Sequence, residues 1–429
     1  MKIKGKKKQT DSQGLVPKLR FPEFRDTGAW EEKHLRDLAK RITRKNKAGE
    51  VTRVLTNSAE NGVLDQRDYF DKDIANQSNL GGYFIVDEGD YVYNPRVSHI
   101  APVGPISKNK LGKGVMSPLY TVFRFKNRSN DFFEQYFKTT HWHHYLRMVS
   151  NSGARHDRMS ITNGDFEIML LLFPVLAEQQ KIADCLSSLD ELIAAQANKL
   201  DTLKAHKKGL MQQLFPAPGQ TIPTLRFPEF KADWVSKKGD EITTKITKGS
   251  SPNWQGFSYQ SAGILFITSE NVRDGFLDVS NPKYLPEKFY EKQKNSQLSY
   301  GDILINIVGA SIGRNCMYLL ECKAFTNQAV ALFRADNKNS FRFVNYCCQH
   351  DRIQNAIIGS QSESARPNLS LTDLRNIEFL LPSLPEQQKI ADCLSSLDEL
   401  ITAQADKLDA LKAHKKGLMQ QLFPNPDKA

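Results

Sequence analysis

Residues 178–216 read EQQKIADCLSSLDELIAAQANKLDTLKAHKKGLMQQLFP, and residues 386–424 read EQQKIADCLSSLDELITAQADKLDALKAHKKGLMQQLFP. The stretches lie 208 residues apart and agree at 36 of 39 positions; Ala194/Thr402, Asn198/Asp406 and Thr202/Ala410 differ. Within the first, Ile182, Leu186, Leu189, Ile193, Gln196, Leu200 and Leu203 recur at alternating spacings of four and three. Ile390, Leu394, Leu397, Ile401, Gln404, Leu408 and Leu411 repeat the pattern in the second. That alternation is the a/d seam of a heptad helix. Ala177-Glu178 and Pro385-Glu386 suit a first helical turn, and the closing Phe-Pro suits a stop. Gly209 and Gly417 each cost about 1 kcal/mol inside a helix, which leaves an earlier stop open. About 37 helical residues make a rod of about 55 Å. Neither rod buries its seam alone, so the two are expected to pair as an antiparallel coiled coil with pseudo-twofold symmetry, one variable region at each end. Gln196 and Gln404 either fix the register of that seam or sit at a wet position.

Outward from the repeats, residues 19–24 and 225–230 both read LRFPEF, followed by Trp30 and Trp234. The chain is therefore two tandem halves. They divide as a basic leader (1–14), a first variable domain (15–177), a first spacer helix (178–216), a second variable domain (217–385), a second spacer helix (386–424) and a tail (425–429). The variable domains echo one another: Gly89-Asp90-Tyr91-Val92-Tyr93 resembles Gly301-Asp302-Ile303-Leu304-Ile305, Phe123-Arg124 matches Phe333-Arg334, and Ser160-Ile161-Thr162 matches Ser370-Leu371-Thr372. Short strand-like runs such as 263–268 alternate with turns, and helical stretches are expected at 132–149 and 341–358. The fold class that follows is α+β: two tandem globular domains, each followed by a long helix.

The chain has 429 residues, 59 Lys+Arg against 48 Asp+Glu, a net charge of +11 and 40% hydrophobic residues. This is globular composition and excludes wholesale disorder. No apolar run approaches the roughly 18 residues of a membrane span, and the lysine-rich start has no apolar core of a secretory signal. Six cysteines without a C-x-x-C pair read as reduced thiols in a cytoplasm. The charge lies on residues 1–177 (+9, of which +5 is the first ten) and 217–385 (+3), while the repeats carry 0 and −1. Two mildly basic domains on a neutral spacer make nucleic acid an obvious partner to consider.

Gly309-Ala310-Ser311-Ile312-Gly313 matches G-x-S-x-G, but Arg314–Leu319 after it reads as a strand where a nucleophile elbow needs a helix. His141-Trp142-His143-His144 lies in a helical stretch with no Cys or acid at zinc spacing. Tyr93-Asn94-Pro95-Arg96 lacks the second proline and the aromatic of an amino-methyltransferase motif, and there is no G-x-x-x-x-G-K-[ST].

The LRFPEF…W opening of each half, with LP-x-L-x-EQQKIADCLSSLDELI…LK-x-x-KKGLMQQLFP at its end, resembles the DNA-specificity (S) subunits of bacterial type I restriction–modification systems. Pro382-Ser383-Leu384-Pro385 fits that pattern, and Pro174-Val175-Leu176-Ala177 departs slightly from it. The resemblance covers nearly the whole chain. It implies a non-catalytic DNA-binding protein of the cytoplasm, with two target-recognition domains that each read one half of a bipartite, asymmetric site on double-stranded DNA. It further implies that the helices space the domains and dock two methyltransferase (M) subunits, and that restriction (R) subunits join the complex. No cofactor is expected on this chain, S-adenosylmethionine, ATP and Mg belonging to the partners. Two readers one helical turn apart would need about 34–36 Å, within the reach of the rod.

Arg and Lys suit guanine, and Asn and Gln suit adenine. Loops with such residues flank the echo motifs. The candidates are Asn94, Arg96, Ser98, His99, Arg155, His156 and Arg158 in the first domain, and Ser311, Arg314, Asn327, Gln328, Arg366 and Asn368 in the second. Lys45 and Lys47 are candidates for phosphate. Positions expected on the outer helix face also repeat unchanged: Gln179/Gln387, Asp184/Asp392, Ser187/Ser395 and Lys204/Lys412. Either both helices dock the same partner, or the duplication is recent. Alternatives for the whole chain are the specificity subunit of a related type II enzyme, a coiled-coil scaffold without DNA, and a hydrolase using Ser311.

Overall fold

The computed structural model describes residues 15–69, 77–127, 131–150, 157–360 and 368–424. The leader, the tail, Arg155, His156 and Arg366 therefore lie outside the described residues. The chain forms two compact units, Met1–Ala197 with Asp406–Ala429, and Asn198–Ala405. The dividing points fall inside both long helices, Leu176–Leu214 and Leu384–Leu422. Both helices run without a break through Gly209 and Gly417, so the earlier stop does not occur.

In the first unit, strands Ala39–Arg41, Thr121–Phe125, Tyr91–Tyr93 and Ile106–Lys108 make an antiparallel sheet in that order. In the second, Thr243–Lys248, Val330–Ala335, Ile303–Asn306 and Asn315–Met317 make a sheet of the same topology. The echo motifs explain the likeness. Gly89 and Gly301 take φ of 82° and 87°, values that favour glycine. The aspartate after each is fully buried. Arg124 Nε and Nη2 donate to Asp90 Oδ1 and Oδ2 (2.5 and 2.8 Å). Arg334 Nε and Nη2 donate to Asp302 Oδ1 and Oδ2 (2.6 and 2.8 Å). These hydrogen bonds hold both guanidinium groups above their ordinary pKa. A two-pronged pair of this kind ties the turn to the neighbouring strand. The third echo is offset from the sequence match. Thr162 and Ser370 are the residues that cap short helices, accepting from Asp165 N and Asp373 N.

Two expected helices are each broken in two. Residues 132–149 form Phe132–Phe137 and His143–Val149, and residues 341–358 form Phe341–Gln349 and Asp351–Gly359. At the second break His350 is extended, and its ring accepts from Arg352 N (3.3 Å), capping the next helix.

Each core is completed by both long helices. In the first unit Trp30, Phe123, Phe132 and Tyr136 pack with Ile182, Ala183 and Leu186 of the first helix and with Leu422 and Phe423 at the end of the second. In the second unit Trp234, Ile303, Phe333 and Phe343 pack with Ile390, Ala391 and Leu394 and with Met211, Leu214 and Phe215. The helix segments run antiparallel in each unit. Asp190 pairs with Lys415 while Ile182 shares a core with Leu422. Lys207 pairs with Asp398 (2.6 Å) while Leu214 shares a core with Ile390. Every one of the fourteen predicted seam residues is buried or half-buried, Gln404 being buried and Gln196 half-buried.

The LRFPEF motif clasps the start of the following helix. Arg20 Nε and Nη2 donate to Glu178 Oε1 and Oε2 (2.8 and 2.7 Å), with side chains 7% and 1% exposed. Arg226 Nε and Nη2 donate to Glu386 Oε1 and Oε2 (2.8 Å each). The glutamate is in the first turn, where the helix dipole favours an anion. Gln179 and Gln387, expected on the outer face, are instead buried beside it, donating to Pro174 O (2.8 Å) and Pro382 O (3.1 Å). An acid and an amide at the helix start can serve the backbone and the clasp, which a seam count does not register.

Candidate nucleic-acid interface

In an antiparallel sheet, loops at one end join alternate strand termini. At one end of the first sheet lie the segment after Arg41, the turn before Thr121 and the loop from Asn94 to Pro105. At the corresponding end of the second lie the segment after Lys248, the turn before Val330 and the loop from Ile307 to Arg314. Nearly all described candidates fall on these ends, though they are scattered in sequence.

In the first unit Asn94 is half-buried and builds the loop: its Nδ2 donates to Asn57 O (2.8 Å) and its Oδ1 accepts from Arg96 N (3.0 Å). Arg96 forms an isolated backbone bridge with Arg158, and both guanidinium groups flank Asp157 (3.9 and 3.8 Å). Ser98 Oγ accepts from Ala101 N (3.1 Å), and His99 and Ile100 are exposed at the tip. Lys45 and Lys47 are exposed on either side of buried Asn46, whose Nδ2 donates to Val51 O (2.8 Å).

In the second unit the bridge recurs between Val308 and Asn368, and Asn368 is exposed. Ile307 N donates to Ala329 O (3.0 Å), which sets the Asn327-Gln328 turn beside the same loop. Asn327 Oδ1 accepts from Ala329 N (3.1 Å), and Gln328 is exposed. Arg314 is 43% exposed and 3.7 Å from Asp274. Ser311 Oγ accepts from Asn306 Nδ2 (3.2 Å). A strand, Asn315–Met317, follows the G-x-S-x-G turn, so the stretch is not a nucleophile elbow. At the histidine-rich stretch, Trp142 is buried and His143 stands edge-on to it (4.5 Å). Among the described residues no three His, Cys, Asp or Glu side chains converge on one point.

Sequence reasoning missed Asn306. It is fully buried at the equivalent of Asn94 and donates to Ser269 O (3.0 Å) as well as to Ser311. The shared Gly-Asp…Asn spacing was the available signal. It also missed the exposed apolar side chains around these ends: Ile100 and Leu119 in the first unit, Trp254 and Phe276 in the second. Composition gives no signal for these, because exposure is a tertiary property.

Residues 28–205 and 232–413 each match the family described as "Type I restriction modification DNA specificity domain". The chain belongs to this family. Its DNA-specificity domains take in both sheets, both sheet-end loop clusters and most of each long helix. Among curated relatives, the type I restriction enzyme MjaVIII specificity subunit of Methanocaldococcus jannaschii is 25% identical over 321 residues, covering 72% of this chain and 74% of its own. The EcoBI specificity subunit of Escherichia coli is 24% identical over 265 residues, covering 57% and 55%. Among solved structures, the type I restriction–modification S subunit from M. genitalium aligns with a TM-score of 0.59 at 14% identity, covering 96% of this chain and 99% of its own. A chain from a study of complex assembly and conformational transition of the type I system aligns with a TM-score of 0.54 at 18% identity, covering 92% and 97%. At these identities the structures speak for the fold. The specificity-domain family places this chain in a non-catalytic role.

Proposed function

We propose that this chain is the DNA-reading subunit of a type I restriction–modification complex. Each unit presents one sheet end to one half of a bipartite, asymmetric site on double-stranded DNA. The observation that carries this reading is the contrast at equivalent ends: two sheets of one topology carry different reading side chains. The first offers Arg96, Ser98, His99 and Arg158, and the second Arg314, Gln328 and Asn368, with Asn94, Ser311 and Asn327 shaping the loops. Arg155, His156 and Arg366 belong to the same stretches of sequence. Different donor and acceptor sets on one scaffold read different bases, so the half-sites differ.

The long helices set the unread gap and dock two methyltransferase subunits, with restriction subunits joining the assembly. The repeated outer positions support equal docking: Asp184/Asp392 and Lys204/Lys412 are exposed, as are Leu192 and Leu400. S-adenosylmethionine, ATP and Mg act on the partner subunits, and the complex works in the cytoplasm. No helix among the described residues is long and apolar enough to cross a membrane.

Methylome sequencing of cells expressing the chain with its methyltransferase subunit tests this. The expected result is a bipartite motif with an unread gap. Methylation of a short continuous motif, or none, would overturn it.

A further inference from the structure

The chain has four tryptophans. Trp30, Trp142 and Trp234 are 2%, 2% and 4% exposed, and Trp254 is 94% exposed. A bare indole forgoes the largest apolar burial any side chain offers. A slack loop would let it fold back, and this loop is not slack. Ser250 Oγ donates to Gln293 Oε1 (2.6 Å), Gln293 Nε2 donates to Gln255 Oε1 (3.2 Å), and Gln255 Nε2 donates to Ser250 Oγ (3.0 Å). The closed triangle pins both sides of the tryptophan turn. Phe257 N donates to Pro252 O (3.1 Å), and the Phe257 ring packs edge-on against buried Phe289 (4.9 Å). The indole is therefore held outward on a braced platform.

The platform belongs to the reading end of the second sheet. At its base Gly249 N donates to Asn327 O (3.1 Å). A Cβ at Gly249 would lie 1.6 Å from Thr326 O, so only glycine permits this approach. Gln328 follows on the turn so anchored. Between Glu241 and Glu270 the chain has no acidic residue, while Lys248 is exposed before the loop and Asn253 and Gln255 flank the ring. An exposed apolar ring between amides, with a cation at the base of its loop, suits a polyanion whose grooves present both polar and methyl groups. The equivalent loop of the first unit carries Arg44, Lys45 and Lys47 and no aromatic residue.

We propose that Trp254 is an apolar base contact of the second reader, its indole packing on apolar base edges such as thymine methyl groups in the half-site that Arg314 also addresses. This rests on the DNA-reading function proposed above. A preorganised ring loses little entropy on contact, and burying its apolar surface against base edges is worth about tenfold or more in affinity.

The test uses the complex with its methyltransferase subunit and a duplex carrying the motif found by methylome sequencing. The wild-type minus Trp254→Phe difference in emission isolates this indole from all other tryptophans. Its quenching by acrylamide should fall several-fold when the duplex is added. Trp254→Ala should weaken duplex binding about tenfold and relax the same half of the motif as Arg314→Ala, while Trp254→Phe keeps most of the affinity. Two outcomes overturn the inference alone: the duplex binds and Trp254 stays open to acrylamide, or the methyltransferase subunit protects Trp254 without DNA. Failure to retain any duplex overturns the DNA-reading function as well.

Discussion

The buried frame of each unit and the loops at its sheet end follow opposite rules. The frame is duplicated down to individual atoms. Arg20–Glu178 matches Arg226–Glu386, Arg124–Asp90 matches Arg334–Asp302, and Leu19 N to Gln421 O (3.0 Å) matches Leu225 N to Gln213 O (2.9 Å). The loops share a backbone bridge but not their exposed side chains: Arg96 and His99 face solvent in one unit, Trp254 and Gln328 in the other. The reason is energetic. Removing one member of a buried pair leaves a charge in low dielectric, so such pairs change together or not at all. An exposed loop side chain has water as its alternative partner and can vary at little cost to stability. One scaffold can thereby carry two readers.

The largest effects should come from breaking the frame. Arg20→Ala strands Glu178 and should cost about 3–5 kcal/mol in urea unfolding, with lost hydrogen-exchange protection confined to the first unit. Arg226→Ala should do the same in the second. If either protein unfolds at the wild-type midpoint, the clasp is not part of the frame. Phe423→Ala should cost a similar 3–5 kcal/mol and loosen the first unit, since its ring lies within 6 Å of Trp30 and Phe132 (5.9 and 5.6 Å). Its counterpart Phe215→Ala should loosen the second. Loosening of the wrong unit would contradict the exchange of helix ends.

At the loops, Arg314→Ala should leave the melting temperature unchanged and relax one half of the methylation motif by about 1–3 kcal/mol of discrimination. Arg96→Ala should relax the other half. A change in both halves from one substitution would end the division of labour between sheet ends. Lys207→Met sits between these classes, because the Lys207–Asp398 pair is only partly buried. Its cost should be about 1 kcal/mol, read by chemical denaturation.

The smallest expected effect is on pH. Burial, then Arg147, pushes the His143 imidazole down to about 4, against about 6.5 for an unfolded histidine. Above pH 6.5 both states are neutral at this residue. Between pH 6.5 and 4 only the unfolded chain takes up the proton, so stability should fall as pH falls through that window. His143→Gln should flatten that part of the pH profile. An unchanged slope would remove His143 as its source. His350, buried against the Phe215 ring (5.2 Å), is lowered in the same direction in the second unit.

Much of this protein is legible in its sequence. A repeat of 39 residues, a four-and-three seam and the Gly-Asp echoes are local patterns, and each reports a local geometry. The seam is what an amphipathic helix needs and the glycine is what a tight turn needs, so the long helices and the shared sheet topology followed. Helix breaks at residues 138–142 and His350 were not legible, because neither holds a proline or glycine, the strongest local helix breakers. Tertiary structure alone decided that Arg20 meets Glu178 across 158 residues. It likewise decided that the end of the second long helix completes the first core, that scattered loop residues gather at one sheet end, and that one indole in four stays in water. Periodicity along a chain encodes which face of an element is apolar. Which elements then meet, and which side chains remain exposed, depends on packing between segments far apart in sequence.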